Sequence, residues 1–485
     1  MRRPRLIATV LALTLVAGCG ADRGPEPARW NAPDRTAATG EAAPATPRAT
    51  AASPTAAAVP AGCPRPTATP RSSRALDPLS AGYLGRDDRD QANAVDIAPT
   101  CEIVVGGRFT GVRGAPTTTL GSGAGAVLRL DGDGRRLRGV TRLSGVVRDL
   151  EVRRDGGDIA VATDRDLLLL DPTGTAVRWR RPAAADRVAV GSAGTVAAVV
   201  DGTVRVYGRD GAPLTAIRPT GRSIADVAVD DRSGLVIVGG YRQASAGRCV
   251  PVQIPWLHAY DRRGVLRWRA YDHPADRLGD RCADSRVERV AVGRDGRLYL
   301  AGVTDGGNSV FARSAADLDR PAPNVVIDEF TESSNTGGAK QTYLARFDPA
   351  SGRQLAGQLL LARLGGGKGN TITPYAVTAD ERGRIYAGGV SAYQIADRDR
   401  LTLNGRRLAP YAGGDAWVLV LSADLRRRTT WTVLTDGGAG EVRGLAAGAG
   451  VAVAAARVDR RPFHRHEPAQ AGEGGGYLAA WPALP

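Results

Sequence analysis

The sequence predicts an all-β protein built as a single β-propeller, and three observations support this prediction. A hairpin pattern returns seven times after residue 90, the turns are rich in Gly and Asp, and no helical periodicity separates the copies. Apolar residues alternate with others on both sides of each turn, which is typical of β-hairpins. A second hairpin follows each copy, so that one repeat contains four strands. Seven repeats of four strands indicate a seven-bladed propeller.

The repeats can be followed along the chain. The first hairpins, each a short apolar stretch, a turn and a second apolar stretch ending in small residues, begin at Ala94, Val147, Asp186, Ile224, Val287, Pro374 and Val442. The second hairpins begin at Ala126, Leu167, Thr203, Trp256, Tyr343, Trp417 and Tyr477. The last one runs off the end of the chain. We expect residues 74–86 to supply the missing strand and protect the sheet edge; the alternative is a three-stranded final blade.

Residues 1–18 are typical of a secretory signal: three early arginines precede an apolar run that is too short to span a bilayer. The run ends in Val16-Ala17-Gly18-Cys19, which resembles the lipobox of bacterial lipoproteins. That resemblance implies a lipid on the Cys19 thiol and an extracytoplasmic protein anchored to the cell membrane. The alternative is an ordinary secretory signal with a coincidental cysteine.

Residues 19–72 are dominated by Ala, Pro and Thr and contain few large apolar residues. Such a composition buries too little apolar surface to offset the loss of chain entropy, so we expect a disordered tether with a reach on the order of 40 Å. The β-propeller is then expected to occupy residues 73–485.

The net charge of +15 comes almost entirely from arginines scattered through every segment. We interpret them as a solvated surface, with attraction to anionic lipids or wall polymers as the alternative. No nucleic-acid partner is expected outside the cell, and we expect a monomer.

Four cysteines remain once Cys19 is assigned to lipid, an even number that predicts two disulfides in an oxidising compartment. Label the strands of each blade A to D from the axis outward. The A–B and C–D turns then open on one face, here called the turn face. The B–C loops and the D-to-A links open on the other, here called the loop-rich face. Because Cys249 and Cys282 fall on the loop-rich face and Cys101 on the turn face, we predict Cys249 with Cys282 and Cys63 with Cys101.

Most of the irregular length falls on the loop-rich face. The predicted B–C insertions are residues 111–123, 241–255, 304–341, 391–413 and 459–474, and the longer links are residues 270–285 and 364–371. Long loops gathered on one face of a rigid scaffold commonly carry binding or catalysis.

Strand A lines the central channel of a propeller, and we predict that three acids, Asp96, Asp149 and Asp226, lie there at equivalent positions. Oxygen ligands of this kind could hold a cation. The predicted equivalents in the other four blades are Arg187, Arg289, Tyr375 and Gly444, which favours pairing between aspartates and arginines. A second group, His464, His466 and Glu467, is too small to define a zinc site. We therefore expect no catalytic residues, no bound metal and no cofactor.

Segments such as LDPTGTAVRW and YDRRGVLRW resemble the blades of quinoprotein-like propellers and of secreted bacterial propeller repeats. The resemblance covers residues 90–485 and implies the fold, because this scaffold hosts unrelated activities. We expect a non-catalytic binding or scaffold protein whose loop-rich face takes a protein or cell-envelope polymer. Its candidate contacts are Asp328, Glu329, Phe330 and Glu332. The alternative is an extracytoplasmic enzyme, either a quinone-cofactor dehydrogenase or a channel-metal hydrolase.

Overall fold

The structure of the protein is a computed structural model. It describes Cys63 and residues 78–482, except residues 231, 328–338, 365–368, 394, 396–397, 399–401, 404–405, 411–412, 460–461, 463–464, 467–468 and 471–473.

Nearly all regular structure in these residues is β-strand. In chain order the strands are β1 Ser80–Tyr83, β2 Gln91–Ile97, β3 Ile103–Arg108, β4 Thr117–Thr119, β5 Gly125–Leu130, β6 Leu137–Leu143, β7 Val147–Val152, β8 Ile159–Thr163, β9 Leu167–Leu170, β10 Val177–Arg181, β11 Arg187–Val190, β12 Val196–Val200, β13 Thr203–Tyr207, β14 Pro213–Ile217, β15 Ser223–Asp230, β16 Leu235–Ala246, β17 Cys249–Asp261, β18 Leu266–Tyr271, β19 Ser285–Val292, β20 Leu298–Thr304, β21 Val325–Ile327, β22 Gln341–Phe347, β23 Gln354–Leu360, β24 Ala362–Arg363, β25 Gly369–Asn370, β26 Ile372–Ala379, β27 Ile385–Ser391, β28 Thr402–Leu403, β29 Arg406–Arg407, β30 Asp415–Leu421, β31 Arg428–Val433, β32 Gly440–Gly448, β33 Val451–Val458 and β34 Gly475–Pro482. Two short 3-10 helices cover Ala275–Arg277 and Val310–Ala312.

The strands form seven antiparallel blades, which confirms the predicted propeller. From strand A to strand D the blades are β2-β3-β5-β6, β7-β8-β9-β10, β11-β12-β13-β14, β15-β16-β17-β18, β19-β20-β22-β23, β26-β27-β30-β31 and β32-β33-β34-β1. Strands β4 and β21 each add a short parallel strand outside strand D of blades one and five. The pairs β24–β25 and β28–β29 are small hairpins in the connections.

The ring closes as expected, because β1 is strand D of blade seven. It pairs with β34 from Ser80 opposite Ala480 to Tyr83 opposite Tyr477, and all four of its residues are buried. The alternative of a three-stranded final blade is wrong. An N-terminal strand therefore covers the edge that the last hairpin would otherwise leave open.

The small residues that end strand B have a packing reason. A Cβ on Gly107 would lie 1.8 Å from the carbonyl oxygen of Gln91, and one on Gly240 would lie 1.9 Å from that of Ser223. Each carbonyl belongs to strand A of the same blade, close to a β-bulge that brings the two backbones together. Only glycine fits there, so the Gly-Gly ends seen in the sequence reflect the contact between strands A and B.

Two predicted loops are more regular than expected. Residues 241–255 are not a loop: β16 and β17 continue through them as a two-stranded ribbon, with pairing from Tyr241 opposite Pro255 to Ala246 opposite Cys249. The B–C connection of blade five also packs inward at its start, because Phe311 is fully buried and stacks on Tyr343 with ring centroids 4.3 Å apart.

Candidate functional site

The innermost strands set the chemistry of the central channel, and their register corrects one sequence prediction. In six blades a β-bulge shifts the pairing of strands A and B near the start of strand A. Pairing with strand B makes Ala94 the counterpart of Asp149 and Asp226, whereas Asp96 is the counterpart of Glu151. The prediction that Asp96 and Asp149 occupy equivalent positions was wrong. The position of the bulge in strand A determines which residues of two blades are equivalent, and Asp96 lies two residues further along its strand than Asp149 does. Tyr375 lies within a bulge, one residue before the equivalent Ala376.

The channel carboxylates bind the backbone of the next blade. The pairs of carboxylate and backbone N–H are Asp96 with Val152, Asp149 with Val188, Glu151 with Val190 and Asp226 with Val290, at 2.8, 3.1, 3.0 and 2.9 Å. Each of the three aspartates also accepts a hydrogen bond from the backbone N–H of the residue that follows it. These acids therefore join neighbouring strands A and hold the blades together around the axis.

Arginines lie beside the acids in the channel, as the sequence predicts, but their distances to the carboxylates are longer than those of the hydrogen bonds to the backbone. The Nε atoms of Arg187 and Arg289 lie 3.9 and 3.7 Å from the carboxylate of Asp226. The positive charge of Arg289 and burial together lower the pKa of Arg187. Burial also opposes the charge on Arg289, but Asp226 and Asp149 outweigh it and raise its pKa. The cluster is an internal balance of charge.

Two channel acids have raised pKa values, Glu151 and Asp149. Burial, followed by the negative charge of Asp96, raises the pKa of Glu151 to about 8. Burial also raises the pKa of Asp149, despite the nearby Arg289 and Arg187. Protonation of Glu151 near neutral pH thus removes one negative charge from a crowded part of the channel.

Two arginines that the sequence analysis did not single out cross the channel near the turn face. Arg154 of blade two donates from Nη1 to the carbonyl oxygen of Gly293 in blade five at 2.8 Å. Arg294 of blade five donates to the carbonyl oxygen of Ile97 in blade one at 2.7 Å. Their guanidinium groups span the ring and narrow its centre. Both arginines follow a strand A, and that position was the only sequence signal that could have pointed to them.

The space left in the channel is divided. A cavity of about 110 Å³ lies beside Asp149, Asp226 and Arg289. A depression of about 480 Å³ opens at one end and is lined by Asn93, Arg148, Asp186, Arg187, Tyr375 and Arg443 among others. At the other end, a depression of about 550 Å³ includes Arg154, Arg232 and Arg294. In the centre the acids bind backbone N–H groups and lie near the arginines, and the two ends are the wider parts of the channel.

The loops of the loop-rich face are joined to one another across blades. Gln470 of blade seven donates to the carbonyl oxygen of Arg113 in blade one at 2.9 Å. Asn308 of blade five donates to the carbonyl oxygen of Asp280 in the preceding link at 2.7 Å. Within blade six, Arg398 and Asp415 form a buried ion pair at 2.6 Å that fixes the connection between β27 and β30. This face is therefore a platform of connected segments.

The ribbon of blade four is fastened to that platform. The disulfide between Cys249 and Cys282, with Cα atoms 4.8 Å apart, confirms the predicted pair. Beneath it lies a small apolar cluster of buried side chains: Cys249, Val252, Ile254, Leu278, Val310 and Leu318. On the turn face, Cys63 is bonded to Cys101, with Cα atoms 5.5 Å apart.

A second buried cluster supports the base of the ribbon and was not found from the sequence. Asp272 accepts hydrogen bonds from Arg222 at 2.7 Å and from Arg242 at 2.9 Å, and it lies 3.0 Å from Nε2 of His258. Burial alone would raise the pKa of Asp272, but these three partners lower it well below its usual range. Asp272 has a φ of +51°. Such backbone is uncommon for a residue with a side chain, and the ion pairs hold it in place.

The remaining predicted residues lie outside the part of the chain that the structure describes. They are Cys19, Asp328, Glu329, Phe330, Glu332, His464 and Glu467. His466 is described, and its backbone pairs with Ala81 of β1. Within the described residues, no helix has the length and apolar character needed to cross a bilayer. The same residues contain no group of three or more His, Cys, Asp or Glu side chains arranged to hold a metal ion.

No protein-family model matches the chain, and no curated protein matches it. Among solved structures, the chain is similar to hydrazine synthase of Kuenenia stuttgartiensis, with 10% identity and a TM-score of 0.46 over 77% of this chain and 94% of that one. It is also similar to a chain of the mitotic checkpoint complex, with 10% identity and a TM-score of 0.45 over 87% of this chain and 97% of that one. Neither likeness indicates what this chain binds. The resemblances to lipoproteins and to quinoprotein-like propellers stay predictions.

Proposed function

We propose that the protein is a non-catalytic binding propeller of the bacterial cell envelope, anchored by a lipid on Cys19, that captures a protein or an envelope polymer on its loop-rich face. The observation that carries this proposal is the connected platform, in which a disulfide and hydrogen bonds join loops from different blades. Such connections reduce the entropy that loops lose when they bind a partner.

The channel acids have a structural role, which fits a binding propeller. Asp149 and Asp226 each accept hydrogen bonds from two backbone N–H groups, one of them in the next blade. Removal of either carboxylate would leave a backbone N–H of the next blade unsatisfied. These hydrogen bonds hold neighbouring blades together. The surfaces that differ in shape from blade to blade are those of the loops.

A capture experiment tests the proposed site. The full chain would be displayed on its own cells, crosslinked, purified, and compared with a variant in which residues 329–337 are replaced by a short Gly-Ser segment. This replacement spares β21 and the buried Phe311, so the blade keeps its core. Loss of the crosslinked partner at an unchanged melting temperature supports the proposal. Equal capture by both proteins would remove this loop from the site.

A point variant with a matched control sharpens the test. Phe330→Ala removes an aromatic side chain that acids flank in the sequence, and aromatic residues are frequent anchors of interfaces. Leu214→Ala is the control, since Leu214 is 46% exposed on the outer strand of blade three. We expect Phe330→Ala to weaken capture at least about tenfold, as for a loss of roughly 1.4 kcal/mol, and Leu214→Ala to leave it unchanged. Reduced stability with intact capture would mean that Phe330 packs on its own blade.

The anchor has a separate test. Cys19→Ala should leave the chain unlipidated, either released from the membrane or retained with its signal segment attached. Mass spectrometry of the N-terminal peptide distinguishes these forms. A Cys19→Ala chain that still carries a lipid would contradict the assignment of Cys19.

A further inference from the structure

The turn face exposes arginines far more often than acids. Among its described residues, in the A–B and C–D turns, ten exposed arginines stand against three exposed acids, Asp155, Asp210 and Asp424. The ten are Arg135, Arg136, Arg209, Arg232, Arg262, Arg263, Arg353, Arg382, Arg426 and Arg427. This face is therefore a basic surface.

The imbalance arises from the way the turns are built. The leading aspartate of a turn directs its carboxylate back to the turn's own backbone. Asp131 accepts from the N–H of Arg136 at 2.9 Å, and Asp380 accepts from those of Arg382 and Arg384, each at 3.0 Å. These acids are thereby withdrawn from the surface, while the arginines that follow them in the turns point to solvent. The formal charge of the sequence does not show that the arginines of the turns are exposed while the leading aspartates are not.

The loop-rich face lacks the same bias. Its described residues expose seven acids beside the arginines, whereas the turn face exposes three. The seven are Asp88, Asp164, Asp186, Asp201, Asp276, Asp280 and Asp319. Exposed positive charge is therefore less balanced on the turn face, although the net charge of +15 belongs to the whole chain.

The N-terminal segment joins the propeller at the turn face. Cys63 is bonded to Cys101, which lies in the A–B turn between β2 and β3. The start of β1 meets the same face, because Ser80 donates to the carbonyl oxygen of Asp133 at 2.7 Å and Arg135 donates to that of Leu79 at 3.1 Å. The two places where the segment after Cys19 first contacts the propeller, Cys63 and the start of β1, thus lie at the basic surface.

We propose that the turn face docks on the anionic lipid headgroups of the membrane, so that the loop-rich face points away from it. The orientation deepens the proposed function and rests on it for the anchor. The charge of the docking surface, however, is independent of Cys19. Phosphate-bearing headgroups attract clustered arginines at short range, and salt screens that attraction.

The test uses the full chain with Cys19→Ala, so that no lipid anchor contributes. Co-sedimentation is measured with phosphatidylcholine vesicles and with vesicles in which about one third of the lipid is phosphatidylglycerol. The turn-face variant carries Arg263→Gln, Arg353→Gln, Arg382→Gln, Arg426→Gln and Arg427→Gln. The control loses the same charge from the loop-rich face through Arg86→Gln, Arg113→Gln, Arg165→Gln, Arg248→Gln and Arg407→Gln. The N-terminal apolar run and its three arginines are common to all chains, so their contribution cancels when the two variants are compared with the parent chain.

We expect the parent chain to prefer anionic vesicles and the turn-face variant to bind them at least about tenfold more weakly, with the control within about twofold of the parent. Melting temperatures should agree, since all ten positions are exposed. Equal losses in the two variants, or no preference for anionic vesicles, would overturn the proposal. Binding to soluble polyphosphate without binding to anionic vesicles would overturn it in favour of a wall polymer. None of these outcomes depends on lipidation or on partner capture, so each can fail alone.

Discussion

Closure of the ring by β1 gives a sharp prediction, and Tyr83→Ala is the perturbation that tests it. Tyr83 ends the borrowed strand opposite Tyr477, is 3% exposed, and packs edge-on against Tyr477 with ring centroids 5.7 Å apart. Its hydroxyl is buried without a hydrogen-bond partner. The side chain therefore stabilises the closure through packing alone.

The size of the effect follows from that burial. Truncation of a buried aromatic residue to alanine costs about 3 to 5 kcal/mol. An unfolding entropy of about 2.1 cal/mol/K per residue, over a domain of about 400 residues, amounts to about 0.8 kcal/mol per kelvin. A loss of about 4 kcal/mol then lowers the melting temperature by about 5 °C. Tyr83→Phe should cost nearly nothing, because it removes only an unpaired hydroxyl.

Calorimetry on the three chains decides the matter. A parallel pair of deletions, residues 74–86 against residues 20–58, separates loss of the closing strand from loss of the predicted tether. The first should lower the melting temperature by more than Tyr83→Ala does, and the second should leave it unchanged. If Tyr83→Ala melted like the parent chain, or if the two deletions were equivalent, the ring would not depend on its N-terminal strand.

Two further predictions concern stability. Replacing both Cys249 and Cys282 by Ser should cost about 3 to 4 kcal/mol, for a bridge that spans 33 residues; an unchanged denaturant midpoint would show that the ribbon is held by its apolar cluster alone. Glu151 has a pKa of about 8 when folded, against 4.5 as its ordinary value. Between these values the folded chain binds one more proton than the unfolded chain, so its contribution to stability is complete at low pH and is lost as the pH rises to 8, by up to about 1.4 kcal/mol per pH unit. Glu151→Gln should flatten that part of the curve of stability against pH, and parallel curves for the two proteins would contradict the assignment.

The fold could be predicted from the sequence because each blade is a local pattern. Alternation around a Gly or Asp turn marks a hairpin by itself, and seven hairpin pairs leave few architectures other than a propeller. The missing strand after Tyr477 pointed to residues 74–86, and the faces of the ring led to the pairing of Cys249 with Cys282. Each of these inferences needed only the order of strands along the chain.

The channel needed more than strand order. Whether Asp96 lies level with Asp149 depends on a bulge at Asn93 and on the length of the following turn, which together displace it by two residues. A bulge is set by contact with the neighbouring strand, and no local pattern announces it. The sequence of the ribbon at residues 241–255 predicts a loop for a related reason: it contains polar residues and Pro251, which a two-stranded ribbon tolerates because each strand has an open edge.

The channel and the two faces of the ring are under different structural constraints, and these constraints explain where the charged side chains lie. In the channel, a carboxylate that leaves its backbone partner would expose an unsatisfied N–H of the next blade, so Asp149 and Asp226 cannot be exchanged without loosening the ring. On the turn face, the leading aspartates of the hairpin turns accept hydrogen bonds from backbone N–H groups, and most of the exposed charged side chains are arginines. Apart from the ribbon of blade four, the long connections of the loop-rich face lie largely outside the four-stranded ladders of the blades, and their length costs little free energy. Substitutions in those loops can therefore alter binding without loosening the ring, which favours a partner on the loop-rich face and the membrane at the turn face.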